Sequence, residues 1–166
     1  MTGPSVDGTE TRAGEATAAA PRSRAERRRD FEHRLAHDVD VWVASASAGG
    51  APYLVPLSFD WDGEALLLAT PAASPTGRNL AASGTVRLAL GHTRDVAMID
   101  GTVEVLEIGA LPPERAGRFA ARTGFDPRAA DSPYRWFRVR PRRVQAWREE
   151  NELAGRDLMR DGRWLA

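Results

Sequence analysis

Two tight turns narrow the fold more than anything else in the chain. Asp62-Gly63 separates two apolar runs, PYLVPLSFDW before it and EALLLAT after it, and Asp-Gly between such runs is among the strongest hairpin signals a sequence carries. One segment earlier Gly49-Gly50 follows VDVWVASAS, in which Val39, Val41 and Val43 fall on one side of a period-two pattern. Three sequential antiparallel strands follow from these two turns.

Two more strands are read from TVRLALGH and DVAMIDGTVEVLEI, the second long and interrupted by Asp100-Gly101, which marks a bulge or bend. YRWFRVRPRRVQAWRE supplies a sixth, with Trp136, Arg138 and Arg140 on one side and Phe137 and Val139 on the other. LMRDGRW offers a last Asp-Gly turn and a small terminal hairpin. Helices are expected where Ser23 precedes Glu26 at capping-box spacing, where SPTGRNL opens, and over LPPERAGRFAARTG, which is entered through prolines and stopped by Gly124. The class expected is mainly β (α+β): a six-stranded antiparallel β-barrel, closed or partly closed, with two to three helices packed outside. Closure would remove exposed strand edges. An open α+β sandwich is the competing architecture.

A chain of 166 residues suits one domain with a real core. Residues 1–22 hold a single valine as their only large apolar side chain beyond the initial methionine, and are expected to be a disordered leader before a single domain over 23–166. All 23 basic side chains are arginines, an abundance that codon bias explains before function does. Net charge is zero, so no basic field draws the chain to nucleic acid or to an anionic membrane. Cysteine is absent, which removes disulfides, thiolate nucleophiles and thiolate metal sites, and leaves any redox chemistry to a borrowed cofactor. No run approaches the about 18 apolar residues of a spanning helix and no secretory h-region is present, so the expected compartment is the cytoplasm.

Of three histidines, His33 and His37 stand four apart on the first helix without a third ligand in view, and His92 is alone, so no metal site is expected. Neither a nucleophile elbow nor a phosphate-cradling ATPase loop is present, and no catalytic side chain is assigned. Chemistry concentrates instead in TPAASPTGRNL. Thr70 ends a strand, Ser74 is placed to cap, Pro75 suits a first helical turn, and Gly77 would let a ligand approach the backbone. The N–H groups of residues 76–79 and the Arg78 guanidinium then suit a phosphate, although an ordinary helix cap has the same composition. A second anomaly is Pro56 in the middle of a strong strand, which belongs at an edge or a bulge and leaves backbone groups free to face a planar heterocycle.

In order and at compatible spacing over about residues 38–147, PYLVPLSFDWDG, LLLAT, SPTGRNL, VRLAL and RDVAMIDGTVEVL resemble the FMN-binding split-barrel proteins of the pyridoxamine 5'-phosphate oxidase-like superfamily, and most closely the actinobacterial flavin and deazaflavin (coenzyme F-420) oxidoreductases among them. The resemblance implies a flavoprotein homodimer with two cofactor sites at the subunit interface. Val55, Pro56, Leu57 and Ser58 would line the ring edge through backbone groups. Thr70, Ser74, Thr76, Arg78 and Asn79 would hold the phosphate and ribityl chain. A C-terminal arginine and histidine motif of the true vitamin B6 oxidases is missing from ENELAGRDLMRDGRWLA, which argues against that activity.

The leading expectation is therefore an oxidoreductase passing hydride between bound F-420 or FMN and a small conjugated or heterocyclic substrate. The alternative is a non-catalytic flavin, heme or tetrapyrrole binder on the same barrel, and a third reading makes SPTGRNL a cap and the role structural. Trp136, Trp147 and Trp164 are expected in core or dimer packing, with ring stacking on a ligand as the other reading. Under the resemblance Arg138, Arg140, Arg142 and Arg143 could reach an anionic tail such as the oligoglutamate of F-420, and strand alternation with codon bias explains them nearly as well.

Overall fold

The computed structural model describes residues 20–166. In chain order the elements are α1 (Arg24–His37), β1 (Asp40–Ala46), β2 (Pro52–Trp61), β3 (Leu66–Pro71), α2 (Pro75–Ser83), β4 (Thr85–His92), β5 (Asp95–Glu107), α3 (Pro113–Thr123), β6 (Tyr134–Trp147), β7 (Asp157–Arg160) and β8 (Arg163–Trp164). The sheet order is β3-β2-β1-β4-β5-β6-β7-β8, every neighbouring pair being antiparallel, and β3 also pairs with β6. That last pairing closes six strands into a barrel and excludes the open sandwich. The terminal Asp161-Gly162 turn makes the expected hairpin, β7 and β8, beside the second half of β6.

Sequence chemistry accounts for each boundary. Ser23 and Glu26 form the reciprocal capping box of α1, with Glu26 N–H donating to Ser23 Oγ at 3.2 Å and Ser23 N–H to Glu26 Oε2 at 2.7 Å. α2 and α3 end on Gly84 and Gly124, whose left-handed backbones suit glycine. Asp62 Oδ1 accepts the N–H groups of Glu64 and Ala65, which closes the β2–β3 turn. The ladder between β5 and β6 shifts register at Asp100/Gly101, where a methyl on Gly101 would stand 2.6 Å from Val139 Cγ1 and 2.9 Å from the Arg140 carbonyl oxygen. The bulge thus needs glycine.

Two cores result. Inside the barrel Val41, Val43, Phe59, Leu66, Leu68, Leu88, Ile99, Phe137 and Val139 pack together, with Phe31 and Leu35 of α1 and Leu80 of α2 in the same cluster. Outside it Leu67, Ala69 and Trp136 meet Ala116 and Phe119 of α3. β3 is buried on both faces because it serves both cores, which explains its unbroken apolar run. Trp136 is core, as the packing alternative held: its ring stands edge-on to Phe119 at 5.0 Å and its Nε1–H donates to the Ile108 carbonyl at 3.0 Å. Trp164 packs edge-on to Phe31 at 6.1 Å under the Arg28 guanidinium.

Residues 1–19 of the expected leader lie outside the described residues. Arg22, assigned to the same leader, belongs to the packed chain: its Nε and Nη2 donate to Glu152 at 2.9 and 2.8 Å and its Nη1 to Asp30 at 2.6 Å. Among the described residues no helix is long and apolar enough to cross a membrane, and no three His, Cys, Asp or Glu side chains gather to hold a metal.

Candidate functional site

Among the described residues, the first half of β2 has a strand on one side only. β1 pairs with it from Pro52 to Ser58, whereas β3 joins it only at Phe59, Asp60 and Trp61. Phe59 N–H donates to Val39 on the β1 side at 2.8 Å. Period-two geometry then points the N–H groups of Tyr53, Val55 and Leu57 toward β1, and the backbone of Leu54, Pro56 and Ser58 toward the open edge. Pro56 therefore gives up no ladder bond, because its missing N–H falls on the unpaired side. The edge presents N–H groups at Leu54 and Ser58 and carbonyls at Leu54, Pro56 and Ser58.

A cleft of about 360 Å³ lies along this edge, lined by Asp40, Pro56, Leu57, Ser58, Thr70 and Tyr134 among others. Phe119 of α3 and Phe125 add apolar surface, and Phe125 tilts against Tyr134 at 5.3 Å. Ser58 Oγ donates to Asp40 Oδ1 at 2.7 Å. α3 is fixed beside the cleft by Asp60, 2% exposed, whose Oδ2 accepts from Arg115 and, at 2.9 and 2.8 Å, from Arg118 Nε and Nη2. The cleft holds aromatic and aliphatic walls with one carboxylate and three hydroxyls, a composition suited to a flat apolar ligand with a few polar edges.

Of the nine residues expected at a cofactor, Pro56, Leu57, Ser58 and Thr70 line this one cleft. Val55 packs its side chain against the barrel core and pairs its backbone with Val43 of β1, so it presents nothing to the cleft. Ser74 adjoins the cleft through its hydroxyl, 3.2 Å from that of Thr70. Thr76 is buried, Arg78 is exposed and turns its Nη1 back to the Ala73 carbonyl, and Asn79 Nδ2 donates to Ser45 Oγ at 3.1 Å, toward the end of β1.

The start of α2 is more self-contained than its sequence suggests. Gly77 N–H donates to Ser74 Oγ at 2.9 Å and Arg78 N–H to the Ser74 carbonyl at 3.0 Å, so within residues 76–78 only the Thr76 amide is left without a partner among the described residues. Gly77 serves close packing, not ligand approach: a methyl there would overlap the Pro71 carbonyl oxygen and stand 3.0 Å from that of Ala72. The cap forms as an ordinary cap, and what it leaves for an anion is the Thr76 N–H and the exposed Arg78 side chain.

Sequence reasoning missed Asp40, Phe119, Phe125 and Tyr134. The register from Gly49-Gly50 sets Asp40 opposite Ser58, and was available to counting; the β3–β6 closure that sets Tyr134 opposite Pro71 was not. His33 and His37 stack at 4.0 Å on the exposed face of α1, and neither lines the cleft.

The sequence profile of the pyridoxamine 5'-phosphate oxidase family matches residues 30–148, which takes in all six barrel strands and the cleft. The chain belongs to the pyridoxamine 5'-phosphate oxidase family. Comparison with curated protein sequences finds no match. Solved structures similar to this family member include an F420 reductase, 21% identical at a TM-score of 0.57, covering 68% of this chain and 94% of that one. The heme storage protein HutZ of Vibrio cholerae is 15% identical at a TM-score of 0.56 and covers 71% and 92%. An FAD-binding protein of Mesorhizobium loti is 19% identical at a TM-score of 0.56 and covers 70% and 89%. At these identities the likeness is one of fold.

Proposed function

We propose that the protein is a flavin-type oxidoreductase, with F-420 or FMN as cofactor and hydride transfer to a small conjugated or heterocyclic substrate as its reaction. The observation that carries the reading is the unpaired edge of β2 over an apolar cleft. Backbone donors and acceptors at Leu54, Pro56 and Ser58 match the alternating polar edge of such a ring, and the walls formed by Leu57, Phe119 and Phe125 match its faces. The residues fit the phosphate end more narrowly. Arg78 would supply the charge and Thr70 and Ser74 hydroxyl donors, with Thr76 and Asn79 behind them.

A bound flavin-type group supplies the hydride chemistry. The chain's own contribution would be orientation and exclusion of water: Asp40 holds the Ser58 hydroxyl at the open edge of β2, where it would meet a bound ring, and α3 closes one wall through Asp60.

The second subunit of the expected homodimer would cover the outer face beside the open edge, where Trp42 is 48% and Leu54 60% exposed. An F420 reductase and an FAD-binding protein among the similar folds support the cofactor class. A heme or tetrapyrrole binder is the second reading, favoured by the HutZ likeness and by Tyr134, the one side chain in the cleft of a kind that ligates heme iron.

The test is a side-by-side titration with FMN, F-420 and hemin, followed by tryptophan quenching; Trp42, paired across the ladder with Pro56, is the reporter. Micromolar binding of FMN or F-420 with reduction of an acceptor supports the oxidoreductase. Hemin binding alone transfers the cleft to the second reading, and binding of none returns SPTGRNL to a helix cap.

A further inference from the structure

Four of the five arginines on β6 are neutralised by a carboxylate: Arg135 by Glu107 at 3.0 Å, Arg138 by Glu104 at 3.4 Å, Arg140 by Glu64 at 3.8 Å and Arg143 by Asp157 at 3.0 Å. Arg142 has no side-chain partner among the described residues. The cause is the bulge. Asp100 pairs with Arg143 and Gly101 with Pro141, so Arg142 is the residue that the ladder skips. The carboxylate nearest in register, Asp100, is already held at two points by Arg87, at 2.6 and 3.1 Å.

Arg142, an exposed residue, lines two adjoining clefts, of about 580 and about 370 Å³, and Thr102 lines both as well; its Nη1 stands near Gly162 in the smaller one. The larger is rich in hydroxyls, from Ser45, Ser47, Ser83, Thr85 and Thr102, and its charged side chains are Arg87, Asp100 and Arg142. Thr85 and Thr102 face each other across the β4–β5 ladder with no hydrogen bond to either side-chain hydroxyl among the described residues. In the smaller cleft Glu64 offsets Arg140, and Arg142 again leaves one positive charge over. The Gly162 N–H donates to the Arg142 carbonyl at 2.8 Å, which anchors the backbone that carries it.

We propose that this junction binds an oxyanion, the phosphate or carboxylate group of a small-molecule ligand, with Arg142 as its charge partner and the Thr85 and Thr102 hydroxyls as neutral donors. A guanidinium with uncommitted donors beside neutral hydroxyls is what such a group requires. The larger groove shares no lining residue with the cleft at Pro56 to Ser58, and the proposal does not rest on the cofactor reading.

The experiment is calorimetric titration of the full chain with inorganic phosphate and, separately, with citrate, at constant ionic strength against chloride. Saturable binding of either anion, weakened at least fivefold in Arg142→Gln and in Thr102→Val and unchanged in Arg94→Gln, an exposed arginine paired with Glu149, is expected. Circular dichroism of each variant checks that the fold is kept. Absence of saturable binding overturns the site. So does binding lost in Arg78→Ala but kept in Arg142→Gln, which would place the anion at the start of α2 and leave the cofactor reading standing without this one. Equal loss in all the variants means diffuse charge attraction and equally overturns it.

Discussion

Arg22 and Glu152, 130 residues apart in the chain, meet at two points, with guanidinium Nε and Nη2 at 2.9 and 2.8 Å from the two carboxylate oxygens. Glu152 is 4% exposed and also accepts the backbone N–H groups of Arg22 and Arg148, at 2.9 and 2.7 Å. The start of the packed chain is thereby tied to its C-terminal segment.

Glu152→Ala removes the two-point partner of Arg22, leaving it Asp30 and Asp95, and strips two backbone N–H groups of their acceptor, so it is expected to lower stability by about 2 to 3 kcal/mol in denaturant unfolding. The hydrogen bonds from Arg22 hold the Glu152 carboxyl down at about 2, against an ordinary 4.5. Because the folded value is depressed, the pair's contribution is complete above about 4.5 and is lost as pH falls toward 2. Glu152→Gln should therefore flatten that part of the acid-unfolding curve. A truncation that removes residues 1–22 should melt several degrees below one that removes 1–19, since only the first deletes Arg22.

Gly77→Ala is a sharp test of packing against propensity. Alanine is the better helix former by about 1 kcal/mol, but its methyl would overlap the Pro71 carbonyl oxygen. We expect a net loss of about 2 kcal/mol, read as a lower unfolding midpoint. A gain in stability would mean that the turn from β3 into α2 yields at small cost.

Asp60 gathers Arg115 and Arg118 of α3 onto β2. Asp60→Ala leaves two guanidiniums without their shared partner and is expected to cost about 3 kcal/mol. Because Phe119 of the same helix walls the cleft, ligand affinity at Pro56 and Thr70 should fall as well, beyond what the unfolded fraction explains.

Arg78→Ala should weaken FMN or F-420 binding at least tenfold, through loss of a charge-assisted contact. Its side chain is exposed and, among the described residues, bonded only to the Ala73 carbonyl, so the melting temperature should move by no more than about 2 °C. Unchanged affinity would move the phosphate elsewhere.

The strands and their turns were legible because the evidence for them is local: Asp62-Gly63, Gly49-Gly50 and the Asp100-Gly101 break are each read within a few residues. Pro56 also announced its edge. Contacts made by closure were not legible. Nothing near Arg22 in sequence points to Glu152, and composition alone placed it with the leader. Nothing near Tyr134 points to Thr70 until β3 meets β6. Gly77 was read as an opening because a glycine looks the same whether it admits a ligand or a neighbouring carbonyl. The arginines of β6 looked alike in sequence, and only the bulge singles out Arg142.

Pro56 has a further effect at the unpaired edge of β2. A bare strand edge invites another polypeptide to extend the sheet, the first step of fibre growth. An incoming strand aligned on Pro52 to Ser58 would find acceptors at Leu54, Pro56 and Ser58 but no donor at the midpoint, where the pyrrolidine ring also stands in its path. The same proline that leaves the edge open to a small flat molecule closes it to a foreign chain.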